Sequence, residues 1–98
     1  MPSPMEFKSE IEDWARALKV EPSEIHIRSM GRKWGSCSSK GRLTFSNELI
    51  DKPFEFRSKV VVHELLHLRY PVHGKMFNTL LLAHLRNKGI DGDSVVIE

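Results

Sequence analysis

Cysteine is all but missing from this chain. Cys37 is the single thiol among 98 residues, so no disulfide within the chain can staple the fold. Nothing in the cysteine usage calls for an oxidising compartment. Long apolar runs are missing as well, and the longest is far too short to cross a bilayer, so no membrane span is expected. The opening stretch MPSPMEFKSEIEDW carries acidic residues and no hydrophobic signal segment, which predicts a cytoplasmic protein. Charge of one sign is not in excess either: 15 Lys and Arg against 13 Asp and Glu leave only +2. That balance by itself points to neither a nucleic acid nor a membrane surface as partner. There is no repeat and no low-complexity tract.

What is present is a globular balance, with 40% hydrophobic and 29% charged residues. The length suits one domain over residues 1–98 with a small core, in which a bound ion joining two helices would add folding stability.

Phe7, Ile11, Trp14, Ala15 and Leu18 recur at three- and four-residue steps, with Glu6, Glu10 and Glu12 early and Lys19 late. This predicts an amphipathic helix over about residues 5–19, its charges matched to its dipole. After the break at Pro22 and Ser23, Ile25 and Ile27 alternate with His26 and Arg28 as in a half-buried strand, His26 facing away from the isoleucines. Two further strands, Lys33 to Cys37 and Arg42 to Ser46, flank a Ser38-Ser39-Lys40-Gly41 turn, and together they suggest a small antiparallel sheet. Arg28, Arg32, Lys33, Lys40 and Arg42 gather around Trp34 here. Basic residues interleaved with an aromatic can form a nucleic-acid surface, but a solvated hairpin with Trp34 in the core is the favoured reading.

A third segment, VVVHELLHLRYPVHGKMF from Val60 to Phe77, carries the chemistry. His63 and His67 stand four residues apart in the order H-E-x-x-H. On a helix that spacing turns both imidazoles to one face, where they can grip one metal ion while Glu64 stands beside it. On a strand the two would lie about 13 Å apart, too far to share an ion. The helix is expected from near Phe54 to Arg69 or Tyr70, with Pro71 turning the chain back so that His73 can approach the same ion. Val60, Val61, Val62, Leu65, Leu66 and Leu68 surround the histidines, so the segment must be buried, and buried polar side chains need partners. A metal supplies one for both imidazoles at once.

Three neutral nitrogen ligands and one open position describe a catalytic zinc site. A following helix is expected from His73 or Gly74 to about Lys88-Gly89, with Met76, Phe77, Leu80, Leu81, His84 and Leu85 on its apolar face. His84 reads as a core histidine and is the reserve third ligand. Cys37 is either a further ligand or, the better reading, a structural thiol packed in a tight strand. The tail, with Val95, Val96 and Ile97, fits an edge strand, a cover over the cleft or a frayed end.

The pieces WGSCSSKGRLTFSN (Trp34 to Asn47) and VVVHELLHLRYPVHGKMF resemble the YgjP-like metallopeptidase domain, a group of zinc-dependent hydrolases related to the SprT-like and WLM peptidases. The resemblance covers about the middle half of the chain. It implies an α+β, minimal zincin-like domain with its metal-binding core at about residues 54–88. It further implies Zn2+ held by His63, His67 and His73, with Glu64 as the catalytic acid/base. Zinc-bound water, activated by Glu64, would then attack a peptide carbonyl of a protein or peptide substrate. Between Gly74 and Gly89 there is no Asp or Glu to serve as an alternative third ligand, which leaves His73 as the natural choice. Two other readings stand beside this one: a zinc-stabilised binding module without turnover, on nucleic acid through the basic hairpin, and a hydrolase of non-peptide carbonyls. Tyr70, His26 and the nearby arginines are candidates for the electrophile that assists the reaction. Neither substrate identity nor oligomeric state is legible.

Overall fold

Ser3 starts the first helix: its hydroxyl accepts from the Glu6 amide, and the Glu6 carboxylate accepts from the Ser3 amide in return. With Pro4 in the first turn, where a missing N–H costs nothing, helix α1 runs Pro4–Leu18. It ends on Lys19 in a left-handed cap. Phe7, Ile11, Trp14, Ala15 and Leu18 form its buried face, the stripe expected from their spacing. The computed structural model describes residues 2–90, and the segment with Val95, Val96 and Ile97 lies outside them.

Three strands follow: β1 (Glu24–Arg28), β2 (Gly35–Cys37) and β3 (Arg42–Ser46). Their spatial order is β1-β3-β2, with β2 and β3 antiparallel and β1 and β3 parallel. The sheet is therefore mixed rather than wholly antiparallel. The strand with Leu43 and Phe45, both fully buried, takes the centre, and the residues between β1 and β2 carry the chain past it to the far edge. Register then decides which side chains share a face. Ile25 and Ile27 pair with Leu43 and Phe45, and so do Cys37 and Gly35 from the other side, so all six point to the helices.

A short 3-10 turn, Asn47–Asp51, buries Leu49 and leads to helix α2, Phe54–Leu66. Helix α3 spans Lys75–Asn87. The α+β architecture is thus a helix, a small sheet and two further helices. Helix α2 touches α1, α3, β2, β3 and the 3-10 turn, and its Val60, Val61, Val62, Leu65 and Leu66 are all at most 3% exposed. Three valines in a row cost an α-helix at most about 0.7 kcal/mol each, whereas burying each gains about 1.5–3 kcal/mol. Burial wins. The helix ends earlier than the sequence predicts, at Leu66, but His67 keeps right-handed helical dihedrals and its amide still bonds back to Glu64. Phe77, Leu81 and Leu85 are the buried face of α3, while Met76, expected on that face, is 61% exposed. No helix among the described residues is long and apolar enough to cross a membrane.

One ion pair ties α1 to α2. Arg57 donates from Nε and Nη2 to both Glu10 carboxylate oxygens, at 2.8 and 2.9 Å, and from Nη1 to the Lys52 carbonyl. Glu10 and burial act in opposite directions on the guanidinium, and the carboxylate prevails, raising its pKa. Because the Arg57 side chain is only 12% exposed, removing Glu10 strands a desolvated cation. Glu10→Ala should therefore destabilise the fold by about 1–3 kcal/mol in urea denaturation. Arg16→Ala, which breaks an exposed pair with Asp13, serves as the reference, and an equal loss in both variants would show that the Arg57 pair is screened by solvent.

Candidate metal centre

The last turn of α2 carries His63, and His67, the residue that caps it, continues the same face, which the surrounding apolar side chains leave open. Beyond it, the chain turns through successive bonds from Leu68, Arg69 and Tyr70 amides to the Leu65 and Leu66 carbonyls, then passes Pro71 and brings back His73. Ring centroids lie 5.0 Å apart for His63 and His67, 4.7 Å for His63 and His73, and 4.5 Å for His67 and His73. One nitrogen from each lies within 4.8 Å of the others, a group that could hold a metal ion. His84, the reserve ligand, is not part of this group, and neither is Cys37.

The neighbours of the imidazoles fix their chemistry. His67 Nδ1 donates to the Tyr70 carbonyl at 3.2 Å, which leaves Nε2 with its lone pair directed at His73 Nε2, 2.7 Å away. Phe77, from the first turn of α3, packs its ring against all three imidazoles at 4.8–5.2 Å and closes the site from below. Burial, aided by the charges His67 and His73 would carry, pushes the His63 pKa down to about 4. Burial also lowers His67, more than its carbonyl partners restore. Both rings are thus held neutral, the form that ligates metals. The donor set suits zinc: three imidazole nitrogens, no carboxylate among them, and open space on one side.

That space is a cleft of about 800 Å³. Residues 33–39, including all of β2, form one wall; Val60, His63, Glu64 and His67 form the floor; Pro71 and His73 stand opposite. Among the described residues no strand lies beside the outer edge of β2, and that edge faces this cleft. Glu64, about 100° round the helix from His63, lies between the histidines and that edge. Burial raises its carboxyl to about 7 against the opposing pull of Lys33. Burial likewise raises the Cys37 thiol, and the Glu64 charge adds to it.

The basic hairpin disperses. Lys33 lines the cleft, Arg42 is paired with Glu24 at 3.0 Å, and Arg28 and Arg32 are exposed away from it. Trp34 is half-buried, edge-on to Phe56 with the Lys52 ammonium 5.2 Å above its ring, and it too lines the cleft. His26 bonds to Glu24, and neither it nor Tyr70 reaches the cleft wall.

Gly35 escaped the sequence reading altogether. A Cβ built there would stand 3.0 Å from Glu64 Cγ and 3.2 Å from Phe45 Cδ1, so any larger residue would have to displace one of these side chains by a few tenths of an ångström. The only signal in the sequence was a glycine inside a predicted strand.

Two histidines one turn apart on a helix with a half-buried glutamate between them, and a third histidine returning beside them, fit the metallopeptidase class. The chain belongs to the YgjP-like metallopeptidase domain family, matched over residues 4–87. A similar fold is found in the crystal structure of the metallopeptidase zymogen abylysin of Pyrococcus abyssi, at a TM-score of 0.66 and 20% identity, over 76% of this chain and 75% of that one. At that identity the likeness is one of fold. No curated protein matches the chain in sequence.

Crowding at Gly35 is directly testable. Gly35→Ala should push Glu64 or Phe45 aside, costing about 1–3 kcal/mol of stability and lowering peptidase activity by about tenfold to a hundredfold. Gly31→Ala, where a Cβ would meet nothing within 4 Å, is the control. Equal melting temperatures and activities for the two variants would mean that the strand shifts without consequence.

Proposed function

We propose that this chain is a zinc-dependent peptidase in which His63, His67 and His73 hold the ion and Glu64 is the catalytic acid/base. The observation that carries this reading is the convergence of three imidazoles, two of them held neutral by burial, beside a half-buried glutamate on the floor of an open cleft. A bound zinc supplies Lewis acidity, which acidifies water and polarises a carbonyl.

The chain's own residues do the rest. Glu64 takes the proton of the attacking water as its oxygen adds to the carbonyl carbon, and returns that proton to the departing nitrogen as the C–N bond breaks. The Tyr70 carbonyl fixes the tautomer and direction of His67. The edge of β2 that no strand covers among the described residues offers main-chain donors and acceptors to an extended peptide, which would lie across Glu64 with little dependence on sequence. Residues 1–98 form one catalytic unit in this reading, with the metal-holding part at about 54–88; the single hydrophobic cluster running from Phe7 to Ile90 supports it. A reducing cytoplasm suits the free thiol of Cys37.

Metal content tests the ligands. Purified protein should carry about one zinc per chain, and chelation should lower its melting temperature because the ion binds the folded state alone. His73→Ala should lose most of that zinc, and His84→Gln should keep it. Protein prepared without chelators that is fully stable and free of metal would sink the assignment.

Glu64 separates an enzyme from a zinc-stabilised binding module. Glu64→Gln keeps size and polarity but removes the base, so zinc content should hold while hydrolysis of a peptide library falls by about two to four orders of magnitude. A zinc-loaded wild type that cleaves nothing, with Glu64→Gln indistinguishable from it, would leave the binding module.

A further inference from the structure

The cleft over the histidines does not end at His67. A second groove of about 700 Å³ opens from it, and the two share Ser38, Ser39, His67 and Pro71. Lys19, Lys40 and Arg69 line this extension against the single carboxylate of Glu21. All three cations are exposed, and among the described residues no ion pair engages any of them. Elsewhere the fold does use its cations: Arg42 is taken by Glu24 and Arg57 by Glu10.

These charges also sit on anchored backbone. Arg69 Nη2 donates to the Lys19 carbonyl at 3.0 Å, which joins the turn after α2 to the end of α1 and fixes the guanidinium two residues from His67. The Lys40 carbonyl accepts from the Ser23 hydroxyl at 2.9 Å, so the hairpin turn is tied to the start of β1. The groove is therefore a positively charged channel that leads out of the metal centre, with walls set by main-chain contacts.

We propose that this groove is a subsite for acidic side chains of the substrate, so that the chain prefers peptides bearing Asp or Glu a few residues to one side of the scissile bond. The proposal rests on the peptidase function above. Spaced carboxylates suit the site better than a continuous polyanion does, because Glu21 stands among the cations. No Phe, Tyr or Trp among the described residues lines the groove, so it offers no stacking platform for nucleobases. Exposed charge pairs each contribute little, but three converging on one channel act additively on encounter and binding, and salt weakens them.

The test uses the zinc-loaded full chain and quenched peptides that share one cleavable core, chosen from a library, with a Glu-Glu, Gln-Gln or Lys-Lys pair added on either side. On one side the Glu peptide should exceed the Gln peptide in kcat/KM by about threefold to thirtyfold at low salt, mainly through KM, and the gap should close as salt rises. In Lys40→Glu, which leaves Lys19 and Arg69 against two carboxylates, the preference for the Glu peptide over the Lys peptide should disappear. Equal rates for Glu and Gln peptides on both sides overturn the proposal. If no peptide is cleaved, the peptidase reading fails, and fluorescence anisotropy of labelled Glu and Gln peptides still decides about the groove. Tighter, salt-sensitive binding of the Glu peptide upholds it, and equal binding overturns it. An oligothymidylate of the same charge that binds as tightly as the Glu peptide also overturns it, in favour of a nucleic-acid surface.

Discussion

The burial of helix α2 is the constraint on which everything else in this fold depends. A helix touching two other helices, two strands and a 3-10 turn has little solvent to face, yet it carries His63 and Glu64 in its last turn and His67 at its cap. Polar groups in such a place need partners or an opening. Its apolar residues fill the core, and the one direction left for the polar ones is the cleft under β2. The same dry surroundings that make Val60 to Val62 stabilising drive His63 toward the neutral form and Glu64 toward the protonated one. Core formation and site chemistry are therefore two results of one burial.

The pieces that sequence could predict are those written in local periodicity. The stripe from Phe7 to Leu18 is helical because its spacing admits one face only, and Ser3 with Glu6 marks where it begins. H-E-x-x-H places two imidazoles on one helix face as long as helical dihedrals reach the second, and His67 keeps them although α2 stops at Leu66. The parallel pairing of β1 with β3 is not written locally. It follows from which strand is most apolar and takes the centre, a competition among distant segments. The exposure of Met76 is of the same kind: its helical spacing is right, and the partner surface that would have covered it is absent among the described residues.

Gly35 and the charged groove show a second limit. Gly35 matters because register sets it beside Phe45 and above Glu64, two residues that meet it only in three dimensions. Lys19, Lys40 and Arg69 come from three separate segments and share a groove only because Arg69 binds the end of α1 and Ser23 holds the hairpin turn. A reading along the chain grouped Lys40 with its sequence neighbours as one basic hairpin. The fold divides that group, neutralising Arg42 on Glu24 and leaving Lys33 at the cleft and Lys40 in the extension.

The brevity of β2 explains why a charged extension would matter to a peptidase of this size. Three residues of free edge can make only a few main-chain hydrogen bonds to an added strand, each worth about 0.5–1.5 kcal/mol net. Holding an extended peptide in place costs ordering entropy of comparable size, so the edge alone gives a weak grip. On one side the strand runs into the turn at Ser38 to Gly41; on the other the Trp34 carbonyl still accepts from the Ser46 amide at 2.9 Å, and the Trp34 ring is committed to Phe56 and Lys52. Affinity beyond that short edge has to come from side chains past its ends, and in the direction of Ser38 and Ser39 the first charged groups met are the cations of the second groove.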